Sequence, residues 1–239
     1  METTRDALLG GRVTVRQPAR GFRAGSDAVF LAAACPARPG DTVLDLGCGV
    51  GAAMLCVAAR VGRVAAVGVE RDAATAALAV ENAAPWEGEV VEADVLDLPV
   101  RLRARSFDHV ILNPPYFAAG GGSPSPDPAR EAALREEGAD GLAAWCDVAC
   151  RRAGPRGTVT AIVRADRTAD VLSALAPRLG GLAIRPVAAA PDAPAGRVII
   201  GGRKDSRAPL RLMPPLVTHD GGRQTPAAEA ILRDAAPFA

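Results

Sequence analysis

"DTVLDLGCGVGAAMLCVAARV", residues 41–61, decides the fold. An apolar run from Val43 to Leu46, broken only by Asp45, ends on Gly47, and an Ala-rich stretch with helical spacing begins at Ala52. Gly47, Gly49 and Gly51 fall where the strand gives way to the helix. Glycine lets the backbone turn sharply there and approach a ligand with no Cβ in the way. Outward from this unit the alternation repeats. "RVAAVGVE" (63–70), "EVVEAD" (89–94), "FDHVIL" (107–112) and "GTVTAIV" (157–163) read as strands, while "RDAATAALAVENAA" and "DGLAAWCDVACRRA" read as helices, the second capped by Asp140. Strands buried on both faces read as continuous apolar runs, and strand–helix alternation implies a parallel sheet. The expected fold class is α/β, a doubly wound Rossmann-like sheet.

The flanks differ from this middle. "GGRVTVRQPARGFRAGS" predicts a short two-stranded element, then a helix at "DAVFLAAAC" capped by Ser26 or Asp27. "RVIIGGRKDSRAPLRLMPPLVTH" predicts two strands joined through a basic turn, and Thr225 with Pro226 opens a last helix. With no internal repeat or linker, residues 1–239 read as one domain. Residues 1–40 form an N-terminal hairpin and helix extension, and residues 196–239 a C-terminal strand pair plus helix. "AAGGGSPSPDP" (118–128) is too rich in Gly, Ser and Pro for regular structure and reads either as a lid or as a plain flexible loop.

Composition narrows the function. No apolar run reaches the ~18 residues of a membrane span, and the charged start lacks the apolar middle of a signal peptide, so a cytoplasmic protein is expected. The five cysteines form no CxxC pair, and His109 and His219 lack ligand spacing, so no metal is expected. Net charge is only +1, but basic residues gather toward the two ends and leave a more acidic middle. That pattern fits either solvated faces or contact with nucleic acid.

The glycine loop admits two ligands. With Ala52 it satisfies G-x-G-x-x-G/A, and Glu70 ends the next strand, as a dinucleotide fold requires. S-adenosylmethionine fits the same edge, with Asp45 at its amino-acid end, Glu70 on the ribose hydroxyls and Asp94 by the adenine. Asp27 and Asn113 join these as candidate cofactor contacts.

The fourth strand chooses between them. "DHVILNPPYF" (108–117) runs straight into Asn113, Pro114, Pro115 and Tyr116, the chain's single tyrosine. In a doubly wound sheet ligands bind beyond the carboxyl ends of the strands. A planar amine such as the exocyclic nitrogen of adenine is a poor nucleophile, because its lone pair is delocalised into the ring. Acceptors on its two N–H groups, the Asn113 side chain and the Pro114 carbonyl, would hold it and favour the charge developing on nitrogen. The prolines fix the backbone. Tyr116 offers a stacking face worth ~1–3 kcal/mol, and Phe117 walls the pocket.

"VLDLGCGVG", "VGVE" and "ILNPPY" resemble the motifs of class I S-adenosylmethionine-dependent methyltransferases of the amino-methylating branch. "GGRVTVRQPARGFRAGSDAVFLAAA" and "VTHDGGRQTPAAEAILR" are similar to segments of the bacterial valine-tRNA (adenine-N6) methyltransferases. The resemblance implies a seven-stranded sheet with its last strand antiparallel, S-adenosylmethionine as cofactor, and methylation of the tRNA adenosine beside the anticodon. With Arg130 the one basic residue in the segment after Tyr116 before "REEGAD", RNA contact falls mainly to the basic ends, Arg23, Arg203, Lys204 and Arg207, with Phe117 and Arg130 as further substrate contacts. The alternatives are adenine methylation of ribosomal RNA or DNA, methylation of release-factor glutamine, a nicotinamide-dependent oxidoreductase, and a non-catalytic RNA-binding relic. The glutamine enzymes carry a sizeable N-terminal helical domain, for which some forty residues before the glycine loop are too few. An oxidoreductase would need a hydride relay, and neither mid-strand His109 nor Tyr116 beside two prolines resembles one.

Overall fold

A computed structural model describes residues 2–21, 23–114 and 141–238. Pro115, Tyr116, Phe117, the 118–128 segment, Arg130 and the Asp140 cap lie outside the described residues. The chain opens with a hairpin, β1 (Thr3–Leu8) and β2 (Val13–Pro18), which starts earlier than its sequence suggests and pairs only with itself. Helix α1 (Ser26–Ala34) follows, then the strand–helix series β3 (Thr42–Leu46), α2 (Ala52–Val61), β4 (Ala65–Glu70), α3 (Ala73–Ala83), β5 (Glu89–Glu92), α4 (Val100–Arg103) and β6 (Phe107–Leu112). After residue 140 come α5 (Gly141–Arg152), β7 (Ala153–Arg164), α6 (Thr168–Leu175), β8 (Leu179–Ala188) and β9 (Ala195–Lys204). Short strands β10 (Arg211–Leu212) and β11 (Leu216–Val217) precede a small ladder of β12 (His219–Asp220) with β13 (Arg223–Gln224) and the last helix, α7 (Pro226–Asp234).

The seven long strands after the hairpin run in the order β5-β4-β3-β6-β7-β9-β8. β5, β4, β3, β6 and β7 are mutually parallel, and β9 is antiparallel to both its neighbours. This is the expected class, widened to nine strands by β10 and β11, which both add parallel to β8. The sheet is clothed on both faces, and strand alternation sorts the core. Val43, Ile111, Ile162 and Ile199 face α1, α2 and α7, whereas Leu44, Leu112, Val163 and Ile200 face α5 and α6.

Two local expectations are corrected. Neither Ser26 nor Asp27 caps α1. Gly25 holds the N-cap without a side-chain bond, Ser26 is already helical, and the Asp27 carboxylate accepts from Arg197 Nε at 2.8 Å. The basic segment after β9 does not return as a hairpin. β9 has β7 on one side and β8 on the other, so the chain must cross to the free edge of β8 to pair again. It passes over Gly180, where a Cβ would lie 2.0 Å from the Ser206 carbonyl oxygen. Only glycine admits that crossing. The Thr225 cap forms as its sequence implies, its hydroxyl accepting from the Ala228 N–H at 3.2 Å with Pro226 opening the helix.

Candidate active site

Asp45, Glu70 and Asn113 stand at the carboxyl ends of three adjacent parallel strands. Asp45 is level with Gly68 on β4 and Ile111 on β6, so Glu70 and Asn113 each stand two residues farther out. A two-residue step preserves the face. All three therefore point to the side of Val43, Ala66 and Ile111, under α1 and α2.

The glycine loop joins this row. Gly47, Gly49 and Gly51 have φ of +69°, +57° and +86°, a region L side chains seldom occupy. At Gly47 space is short as well, since a Cβ would lie 2.5 Å from the Trp145 ring of α5. The loop is pinned to the second strand by Cys48 N–H donating to the Val69 carbonyl at 2.9 Å. Glu70 accepts from the Gly49 N–H at 3.0 Å and the Asp72 N–H at 2.9 Å. Those bonds orient its carboxylate, which has about four acceptor sites.

Asp45 is 2% exposed, and its Oδ2 accepts from the Met54 N–H in the first turn of α2 at 3.2 Å. Burial pushes its pKa up to about 7, the Glu70 charge adds to the rise, and the Met54 bond opposes it. Asn113 Oδ1 is buried without a hydrogen-bond partner among the described residues. An unpaired buried carbonyl costs ~1–3 kcal/mol, and a fold-only role gives no return for that cost.

The other candidates divide by position. Asp94 sits just past β5 and caps a short turn, accepting from the Leu96 N–H at 2.7 Å. Asp27, at the start of α1, is ion-paired with Arg197 on the crevice side. Arg23 is bound to Asp6, Thr4 and the Pro18 carbonyl, where it closes the N-terminal hairpin. Arg203, Lys204 and Arg207 fall at or beyond the far end of antiparallel β9, on the opposite edge of the sheet from Asn113. Lys204 Nζ donates to the Cys150 and Ala153 carbonyls and so caps α5, while Arg203 Nε donates to the Arg156 carbonyl. His109 bridges Asp41 and Thr158 at that same far edge.

Sequence reasoning missed Trp145 against Gly47 and Asn82. The Asn82 side chain donates to the Arg16 and Val50 carbonyls and accepts from the Arg16 N–H, tying the hairpin to the glycine loop. No sequence pattern announces either contact, because each joins segments more than thirty residues apart.

Residues 23–124 match the family model of the methyltransferase small domain. A Musicola paradisiaca protein named tRNA1(Val) (adenine(37)-N6)-methyltransferase is 39% identical over 110 residues, 44% of this chain and of that one. An Aeromonas hydrophila protein of the same name is 33% identical over 157 residues, 63% of each. The chain thus spans about half the length of the curated relatives it matches. A solved structure from Agrobacterium tumefaciens, described as a predicted O-methyltransferase, superposes with a TM-score of 0.72 at 29% identity, covering 89% of this chain and 98% of that one.

Proposed function

We propose that this chain is a methyltransferase that uses S-adenosylmethionine to methylate N6 of an adenosine in tRNA, the position beside the anticodon of a valine tRNA. The observation that carries the reading is Asn113 Oδ1 at the end of β6, buried and without a partner among the described residues, on the same face as Asp45 and Glu70. The names of the curated relatives support the choice of tRNA.

The residues fit the cofactor in three respects. The glycine loop leaves backbone exposed where a Cβ would intrude, Glu70 is oriented to receive ribose hydroxyls, and Asp45 offers an acid for a cationic amino group. Asp94 and Asp27 flank the same crevice as further contacts. Bound there, S-adenosylmethionine supplies an electrophilic methyl group on a positively charged sulfur. The chain's own part is positioning. Asn113 Oδ1 and the Pro114 carbonyl accept the two N–H groups of the amine, and as nitrogen gains positive charge those acceptors strengthen. The amine proton stays hydrogen-bonded to Asn113 Oδ1 until it leaves to solvent, so no strong base is needed. Pro115, Tyr116 and Phe117 lie outside the described residues, and their sequence alone assigns them a stiff backbone, a stacking face for the base and a pocket wall. We read residues 1–239 as one catalytic domain, placed in the cytoplasm with its tRNA.

The name of the Agrobacterium relative suggests a hydroxyl acceptor instead. A hydroxyl must lose its proton to a base, and the neutral Asn113 amide cannot take one. The test is transfer of labelled methyl from S-adenosylmethionine to bulk tRNA from cells lacking the protein, followed by nucleoside mass spectrometry. Label in N6-methyladenosine is the expected result. Label in ribose 2′-O-methyl groups, or none in tRNA while the cofactor binds, would refute the reading.

A further inference from the structure

At the carboxyl end of β7, Arg164 stands directly opposite Arg197 of β9 in antiparallel register. Alternation puts both side chains on the face of Ile162 and Ile199, the side toward which Asn113 also points. β7 is the strand next to β6, and its Ala161 is level with Leu112. Arg164 therefore lies one strand across from the Asn113 end and slightly farther out. Arg167 follows in the turn after β7.

Like charges placed opposite each other destabilise a ladder. Here the cost is met with carboxylates. Asp27 Oδ2 accepts from Arg197 Nε at 2.8 Å, Asp166 Oδ2 accepts from Arg164 Nη2 at 2.7 Å, and Asp170 Oδ2 accepts from Arg167 Nε at 2.7 Å. Asp166 raises the Arg164 pKa, which burial and the nearby charges of Arg197 and Arg167 oppose. Folding alone has no use for facing cations that then require acids drawn from α1 and from the turn after β7. Catalysis on a nucleic acid does. A base held at Asn113 leaves its sugar–phosphate backbone passing over this rim.

We propose that Arg164 and Arg197, with Arg167 beside them, form the phosphate-binding rim for the RNA substrate, an inference that rests on the tRNA reading above. The acids fix the guanidiniums in place before RNA arrives, so less side-chain entropy is lost on binding. The basic segment at Arg203, Lys204 and Arg207 lies at the other end of β9. Arg197 and Arg203 are six register positions apart on one strand, about 20 Å at ~3.3 Å per residue.

The experiment measures affinity for bulk tRNA over a series of salt concentrations, with cofactor binding followed by calorimetry. The double variant Arg164→Gln with Arg197→Gln should lose at least tenfold in RNA affinity at low salt. Its log–log salt slope should shrink by about 1.5–2, the loss of two phosphate contacts. Arg164→Lys with Arg197→Lys keeps the charge and should keep the slope, and it decides the matter if the glutamine variant also loses cofactor binding. Arg203→Gln with Arg207→Gln should change affinity less than threefold. If that last variant carries the loss while the rim variant binds RNA like wild type, the rim is overturned and the tRNA reading stands. If wild type shows no salt-dependent binding to tRNA, or binds single-stranded DNA of equal length as tightly, the substrate reading fails and the rim fails with it.

Discussion

Asp45 carries the sharpest consequence at the scale of the single residue. Its carboxyl lies in the core with a pKa of about 7, raised first by burial. If its charge holds the cofactor's amino group, affinity should rise roughly tenfold between about pH 6 and pH 8 as the acid ionises. Asp45→Asn should flatten that profile in calorimetry, and an equally steep profile in the variant would remove Asp45 from the contact. The same shift acts on stability with a definite sign. The folded pKa is raised above the ordinary 3.8, so the stability tied to this group is full below that pH and is lost as pH climbs through about 7. Without cofactor, Asp45→Asn should therefore melt higher than wild type at about pH 8 and lose that advantage at about pH 4. The glycines offer a second comparison. Gly47 and Gly49 both have positive φ, costing an L residue roughly 1–2 kcal/mol, but only Gly47 also meets the Trp145 ring. Gly47→Ala should weaken cofactor binding more than Gly49→Ala, and equal losses would mean that the ring plays no part.

Among the elements, the hairpin β1–β2 stands outside the main sheet, buries Val13 and Val15 in the core beside α2, and is tied to the glycine loop by the Asn82 side chain. Asn82 of α3 satisfies three backbone groups, two on Arg16 and one on Val50. Asn82→Ala leaves those groups short of partners in a largely buried place, a loss of about 2–4 kcal/mol. Thermal melting should fall by roughly 5–10 °C for a chain of this size, and a shift below 2 °C would contradict the clamp. The strands and helices of the parallel half were legible in sequence because each is a continuous apolar run followed by a helical stretch. The C-terminal third was less so. "RVIIGGRKDSRAPLRLMPPLVTH" reads as two strands joined through a basic turn, yet β9 is hydrogen-bonded on both sides and the following residues must seek the edge of β8. Local pattern reports that a strand exists; which strand it pairs with depends on which edges remain open.

For the whole molecule, the division that matters is between the two edges of the sheet. Asp45, Glu70 and Asn113 occupy the carboxyl edge together with Arg164 and Arg197, while Arg203, Lys204 and His109 occupy the other. The acids and the asparagine were legible because strand ends are legible. The edge on which each arginine lies was not, since clustering of arginines along the chain does not tell which edge an antiparallel strand delivers them to. Arg197 and Arg203 are near neighbours in sequence and lie at opposite ends of β9. Among the described residues no helix is long and apolar enough to cross a membrane.

The central claim is that Asn113 Oδ1, buried and without a partner among the described residues, is kept for the acceptor amine. It is tested most directly by single-turnover methyl transfer to tRNA by Asn113→Ala, with S-adenosylmethionine affinity measured on the same sample. A fall in rate of about 10²–10³-fold, with cofactor affinity within threefold of wild type, is the result this account predicts. Turnover within a few-fold of wild type would contradict it.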